Sequence, residues 1–523
     1  MKRDFSTLQD RQFDLLVCGG GIYGAWTAYD AALRGLSVAI VEQGDWAGAT
    51  SSASSKLIHG GLRYLESFDF KLVKKALAER RMLLEHAPHR VWPLRFGVPV
   101  YANSRIGTLR LKAGLTLYDF LAGGLEPDMA HRHFGALAFA QRFPALDHDN
   151  LLGGFTYADA QTDDARLVLE LIDGASAAGA VCVNYCQLTG LIQEHGLACG
   201  ATVQDMLGAS AGKILARQIV DATGQWAATA QPSGCRLTKG IHLILPAALG
   251  DEALLLTAPV DGRVFFMIPW YGLTLIGTTD TDYRGAAGCV AVEPEDVTYL
   301  LAAANHYLKT DWTEQDIIGR FAGLRVMKRS DKSAPSSVSR DWELKTTGNG
   351  VHYSIGGKIT SAREDAASIV DTVCARLGID ATCPTWGKLF PWAPQENYSI
   401  WSHAASARAE QLGIDQECAG WLIRRHGKRV DAIFRTIANE PDLAERIMPA
   451  LPFIYADLLW SAGHEMAVHL DDLLRRRMPL LILSRPDDNA LRRIAATVAA
   501  TMDWDEAAVE REIENCRSLW LAL

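Results

Sequence analysis

Residues 59–64 read His-Gly-Gly-Leu-Arg-Tyr, so an imidazole, a guanidinium and a phenol flank one glycine bend. Such a bend can turn His59, Arg63 and Tyr64 towards one cavity. An imidazole titrates near neutrality, which suits it to take a proton. Arg325, in Gly323-Leu-Arg325, and Arg340 beyond it each offer a planar fork that matches a dianionic phosphate. Gly356-Gly357-Lys358-Ile359-Thr360 lies between a strand-like run and a helical one. Its glycines and the helix N-terminus aim N–H groups at something anionic or carbonyl-rich, and Lys358 adds a cation. The N1–C2=O edge of a flavin fits, because negative charge gathers there on reduction.

These side chains need a scaffold, and residues 13–42 supply its signature. An apolar strand runs into Gly19-x-Gly21-x-x-Gly24; a helical stretch and a second strand over 36–41 follow, ending in Glu42. Gly19 permits a tight turn, Gly21 lets backbone approach a pyrophosphate, and Gly24 lets helix and strand pack closely. The pyrophosphate then sits on the positive end of the helix, and Glu42 accepts hydrogen bonds from a ribose. The next loop, Thr50-Ser51-Ser52-Ala-Ser-Ser-Lys56, has hydroxyls and N–H groups to line the pyrophosphate and ring. Asp221-Ala-Thr223-Gly224 ends another strand in small residues, which allows a second close approach of backbone to cofactor.

A chain of 523 residues holds roughly two to four domains. Its 49% hydrophobic and 22% charged residues are ordinary for a globular protein, and the net charge of −9 argues against a nucleic-acid binder. Ten scattered cysteines form no C-x-x-C pair, and reduced thiols suit a cytosolic location. The N-terminus lacks a signal-like apolar core, and no run of about 18 apolar residues is present to span a membrane. Periodicity predicts helices over 70–86, 106–124, 164–179 and 360–377. It predicts strands over 91–102, 180–185, 191–195, 198–206, 218–224, 241–246, 253–259, 263–269, 272–277 and 351–355. A strand-rich segment between two pieces of α/β structure suggests an inserted substrate domain. Past Pro384, Pro391 and Pro394, residues 401–523 read as almost wholly helical.

Read in order, several runs resemble the FAD-dependent glycerol-3-phosphate dehydrogenases. They are GGGIYGA (19–25), ATSSASSKLIHGGLRYLE (49–66), DDARLV (163–168), KGIH (239–242), PW and IGTTD (269–280), GLR (323–325), RDW (340–342), GGKIT (356–360) and the helical 455–477. The resemblance spans about residues 12–480. It implies an α/β, two-dinucleotide-binding-domain flavoprotein fold with an antiparallel β substrate domain and a C-terminal helical domain. The FAD-binding domain would comprise 1–70, completed by about 150–235 and 345–380; the substrate domain 71–150 and 236–344; the helical domain 395–523. Four positions depart from the family pattern: Tyr23 and Asp221 stand where Asn is usual, Val-Met follows Arg325, and Ser-Ala-Arg follows Thr360.

The same resemblance implies oxidation of sn-glycerol 3-phosphate to dihydroxyacetone phosphate, with electrons passed through FAD to a membrane quinone. FAD contacts are expected from Gly19, Gly21, Gly24, Glu42, Thr50, Ser51, Ser52, Thr223, Gly224, Gly357, Lys358, Ile359 and Thr360. Carried over by motif, Arg63, Tyr64, Arg325 and Lys358 line the substrate pocket, joined by Arg340 and His242. The substrate C2–H must lie over flavin N5 while a base, His59 or else His242, takes the hydroxyl proton. An oxygen-using oxidase of the same fold, a dehydrogenase of another phosphorylated or acidic polyol, and a non-redox binding protein are the alternatives. A quinone acceptor places the protein at the inner face of the cell membrane, peripherally bound, with a homodimer left open. Three basic runs offer themselves as the membrane face: Arg105-x₄-Arg110-x-Lys112, residues 424–429 and Arg475-Arg476-Arg477.

Overall fold

The computed structural model describes residues 1–9, 11–123, 128–230, 235–328 and 342–522. Arg340 and the first two residues of the 340–342 signature lie outside the described residues.

β1 (Gln12–Cys18), α1 (Ile22–Leu33) and β2 (Val38–Val41) form the expected βαβ unit. β1 is parallel to β2 on one side and to Ala211–Asp221 on the other, with Cys18 in register with both Val41 and Asp221. Three strand ends therefore align at one edge, where the glycine fingerprint begins. Val181–Val183 and His352–Ile355 extend the parallel core, and antiparallel pieces close its edges. Both faces of the central strands are covered, which is why Leu15–Cys18 of β1 and all of β2 read as continuous apolar runs. α1 packs against Asp164–Ala177 and Ala362–Leu377.

A second, mainly antiparallel sheet runs Thr281–Tyr283, Cys235–Leu245, Leu273–Gly277, Val264–Trp270, Ala253–Thr257, Val91–Tyr101, Leu151–Thr162 and Leu57–Ile58. Gly319–Lys328 pairs along Cys235–Leu245, with Arg325 opposite Thr238 and Phe321 opposite His242. Leu151–Thr162 pairs in this sheet although it falls in the segment expected to complete the FAD-binding domain. Its periodicity is interrupted by Gly153-Gly154, and both glycines are places of close approach. A Cβ on Gly153 would lie 2.4 Å from the Phe134 carbonyl, and one on Gly154 2.4 Å from the Phe139 ring.

From Tyr398 onward the described residues are mostly helical. The two C-terminal basic runs do not face outward as expected. Arg425 and His426 bond Asp457, and Arg476 and Arg477 bond Asp45. Arg424 stands over the rings of Trp92 and Trp421. These arginines found buried carboxylates or aromatic faces in distant segments, and of the two runs only Lys428 is exposed, so they are interior ties rather than a membrane face. Among the described residues no helix is long and apolar enough to cross a membrane.

Candidate active site

The fingerprint turn is built for close approach. Gly19 has φ +108°, and a Cβ there would lie 2.6 Å from the Ala222 carbonyl; one on Gly24 would lie 1.8 Å from the Gly19 carbonyl. Gly21 caps α1 in an extended conformation. The Ile22 N–H donates to Ser51 Oγ at 2.9 Å, so a hydroxyl of the Ser-rich loop lies on the positive end of α1. Glu42 accepts from Gly20 N–H at 2.6 Å and Gly44 N–H at 3.0 Å. Burial pushes its carboxyl above the usual range, against those donors. On the neighbouring strand, Asp221 accepts the Thr223 N–H and hydroxyl at 3.0 and 2.6 Å, and Gly224 has φ +60°. Bare glycines, a helix N-terminus and an acid at the end of β2 fit a dinucleotide.

The Ser-rich loop is stapled from beneath. Lys56, with φ +59° and 3% exposed, donates to Asp164 at 2.5 Å and to the Ser52 carbonyl at 2.6 Å. The other Asp164 oxygen accepts the Ser54 N–H and hydroxyl at 3.0 and 2.7 Å. Thr50 donates to the Leu324 carbonyl at 2.7 Å, which ties the loop to the strand bearing Arg325.

Arg325 donates to the Thr278 hydroxyl at 2.9 Å and the Thr279 carbonyl at 3.1 Å, and stands 3.6 Å from Asp280. Beside it, His242 is buried, stacked on Phe321 with ring centroids 4.8 Å apart, and meets Ser55 Oγ through Nε2 at 2.9 Å. Its pKa is held well below the usual value by burial, then by Arg325 and Lys56. It is a neutral imidazole at physiological pH.

The third group is the loop after His352–Ile355. Gly356 and Gly357 have φ +74° and +94°. The Lys358 ammonium stands 3.8 Å from the centre of the Tyr64 ring, a cation–π contact. The His59 N–H donates to the Thr360 hydroxyl at 3.2 Å. His59 and Tyr64 are half-buried, whereas Arg63 is exposed on the short 3₁₀ turn Leu62–Leu65. The segment 55–64 thus touches His242, beside Arg325, through Ser55, and the Lys358 loop through His59 and Tyr64.

Sequence reasoning assigned no role to three residues that hold this arrangement. Tyr23 donates to Asp365 at 2.8 Å and accepts from the Lys358 N–H at 2.9 Å. A Cβ on Gly357 would lie 1.7 Å from the Tyr23 hydroxyl oxygen, so Tyr23 and Gly357 fit only as a pair. Asp365 also binds Lys75 at 2.8 Å. Asp164 is the third; it stood within the run 163–168, but nothing local announced that its partner is Lys56. Among the described residues there is no metal-binding cluster.

The sheet, the fingerprint and the stapled loop define an FAD-dependent oxidoreductase. A family model described as FAD dependent oxidoreductase matches residues 14–363, and one described as the C-terminal domain of alpha-glycerophosphate oxidase matches 396–509. A glycerol-3-phosphate dehydrogenase of Synechocystis sp. is 34% identical, covering 98% of this chain and 97% of its own. An aerobic glycerol-3-phosphate dehydrogenase of Bacillus subtilis is 34% identical over 99% of this chain and 96% of its own. A crystal structure of the glycerol-3-phosphate dehydrogenase from Bacillus halodurans complexed with FAD superimposes with a TM-score of 0.79 at 28% identity, covering 98% and 95% of the two chains. The chain belongs to the FAD-dependent glycerol-3-phosphate dehydrogenase family, and its cofactor is FAD.

Proposed function

We propose that the protein oxidises sn-glycerol 3-phosphate to dihydroxyacetone phosphate and delivers the electrons to a membrane quinone. FAD supplies the two-electron acceptor, taking the C2 hydrogen at N5. What carries the reading is the way segment 55–64 joins the neighbourhood of Arg325 to the Gly356-Gly357-Lys358 loop. Arg325, Arg63 and Lys358 hold the phosphate, which fixes C2 and turns binding energy into orientation. Tyr64 orients Lys358. His59 takes the hydroxyl proton; His242 is the weaker candidate because it is buried and hard to protonate. Lys358 offsets the negative charge that reduction brings.

The test is anaerobic mixing with glycerol 3-phosphate, followed by reoxidation with quinone or oxygen. Flavin bleaching by this substrate, with reoxidation faster by quinone than by oxygen, supports the reading. Faster reoxidation by oxygen with peroxide release identifies an oxidase, and bleaching only by another polyol phosphate moves the substrate.

A quinone acceptor requires contact with the bilayer, at the inner face of the cell membrane. The helix Thr108–Leu121 suits it: Leu109 and Phe120 are 85% and 77% exposed, beside exposed Arg110 and Lys112. Such a face inserts apolar side chains while each cation adds about 1 kcal/mol at an anionic surface. Sedimentation with anionic vesicles that is lost at high salt is the expected result. Full recovery in the supernatant at low salt overturns it.

A further inference from the structure

We infer that the C-terminal helical segment 465–477 latches the cofactor fingerprint, so that FAD affinity and the order of that segment are coupled. The chain of contacts starts at Gly20. A Cβ there would lie 2.3 Å from the fully buried Trp46 ring. The Gly20 N–H donates to Glu42 at 2.6 Å, and its carbonyl accepts the Ala47 N–H at 3.0 Å. The turn that approaches the pyrophosphate is therefore clasped by residues 42–47.

Those residues are in turn held by one carboxylate. Asp45, 3% exposed, is shared by two consecutive guanidiniums from the π-helical turn Leu473–Arg477. Arg477 Nη2 donates to Oδ1 at 2.9 Å, and Arg477 Nη1 and Arg476 Nε both donate to Oδ2. Arg477 also donates to the Glu465 carbonyl at 2.7 Å. Asp472 accepts from Arg476 and, at 2.7 Å, from the Tyr185 hydroxyl. The Tyr185 N–H donates to the Gly44 carbonyl at 2.9 Å.

A second strut reaches the far end of the same loop. Glu465 binds Arg166 at 2.8 Å, two residues along the helix from Asp164, the partner of Lys56 and Ser54. Both ends of residues 42–56 thus answer to one segment of the C-terminal domain. Loss of the Asp45 charge leaves two buried cations short of a partner and frees the clasp on Gly20. Coupling of two equilibria is reciprocal, so FAD must also order residues 465–477.

The experiment uses the full chain, stripped of FAD and titrated with it while flavin fluorescence is followed. Asp45→Asn and Arg477→Met are expected to raise the FAD Kd at least tenfold. Asp487→Ala is the control: Asp487 caps the helix Asp488–Ala499 by accepting the Ala490 N–H at 2.8 Å, so its loss weakens the C-terminal helices outside 465–477 and without touching Asp45. It should lower the melting midpoint and leave Kd within twofold. In the wild-type chain, FAD should slow amide hydrogen exchange at 473–478, a readout that needs no variant to fold. FAD-independent exchange there, or an equal Kd shift in all three variants, would overturn the latch.

Discussion

Tyr23→Phe deletes one hydroxyl and keeps the ring, so it isolates the brace between fingerprint and flavin loop. Two hydrogen bonds go: the donation to Asp365 at 2.8 Å and the acceptance from Lys358 N–H at 2.9 Å. Asp365 keeps Lys75 at 2.8 Å and Ser361 at 3.0 Å, so its carboxylate stays satisfied and the main loss falls on the Lys358 amide. An orphaned amide costs about 1–3 kcal/mol, and water reaching the half-buried Lys358 holds the loss near 2 kcal/mol. If the Gly356–Thr360 loop contacts FAD, that loss weakens FAD binding by about thirtyfold. The assay is FAD titration of the stripped protein, with the melting midpoint of the FAD-free form as companion. A Kd within twofold of wild type, with an unchanged visible flavin spectrum, refutes the claim that Tyr23 positions this loop. The steric half of the argument has its own check. Gly357→Ala meets the Tyr23 hydroxyl in the wild type, and Tyr23→Asn removes that clash but leaves the φ +94° strain. The double variant should therefore retain more FAD than Gly357→Ala alone.

Four further outcomes are expected. Lys56→Met leaves Asp164 buried without its cation and should cost about 3–5 kcal/mol of stability by chemical denaturation, whereas adding Asp164→Leu should recover part of it, the Ser54 N–H and hydroxyl having lost their acceptor. Gly24→Ala puts a Cβ 1.8 Å from the Gly19 carbonyl, so the purified protein should be colourless and fail to take up FAD. Arg325→Ala should raise the KM for glycerol 3-phosphate more than tenfold, since the loss of a charged hydrogen bond to phosphate exceeds about 1.5 kcal/mol; an unaltered KM means that the phosphate binds elsewhere. His426 is buried and its pKa is depressed to about 4, against an ordinary value near 6.5. The unfolded chain takes that proton first, so stability is full above pH 6.5 and falls by about 3 kcal/mol as pH drops to 4. His426→Asn should flatten that slope in urea melts recorded across the window.

The fingerprint was legible because a parallel strand buried on both faces leaves an apolar run, Leu15–Cys18, and because Gly19 and Gly24 each meet a backbone carbonyl and Gly21 the Ser51 hydroxyl rather than open space. The helix Phe70–His86 and the strand Val91–Tyr101 fall where their periodicity predicts. Leu151–Thr162 was not legible, since Gly153-Gly154 breaks the alternation for reasons that lie in Phe134 and Phe139. The basic runs misled because charge is local in sequence and its neutralisation is not. Asp471 and Asp472 beside the run pair with Arg476, but Asp45 and Arg477 are 432 residues apart, so nothing local signals the carboxylate that holds Arg477. Tyr23 looked like a departure at a variable fingerprint position, and its meaning lies 342 residues on, at Asp365.

The buried Lys56–Asp164 pair also constrains how such a sequence can drift. A natural fold keeps about 5–15 kcal/mol in reserve, and replacing either partner alone draws off about 3–5. Single steps at these two sites therefore approach the limit of viability, while the joint change to apolar residues need not. Letters shared among related chains in the Ala49–Glu66 run then record two selections at once, one for holding a ligand and one for folding at all. A substitution survey that scored only turnover would credit Lys56 to catalysis; one that also scored folded yield would assign it to the frame.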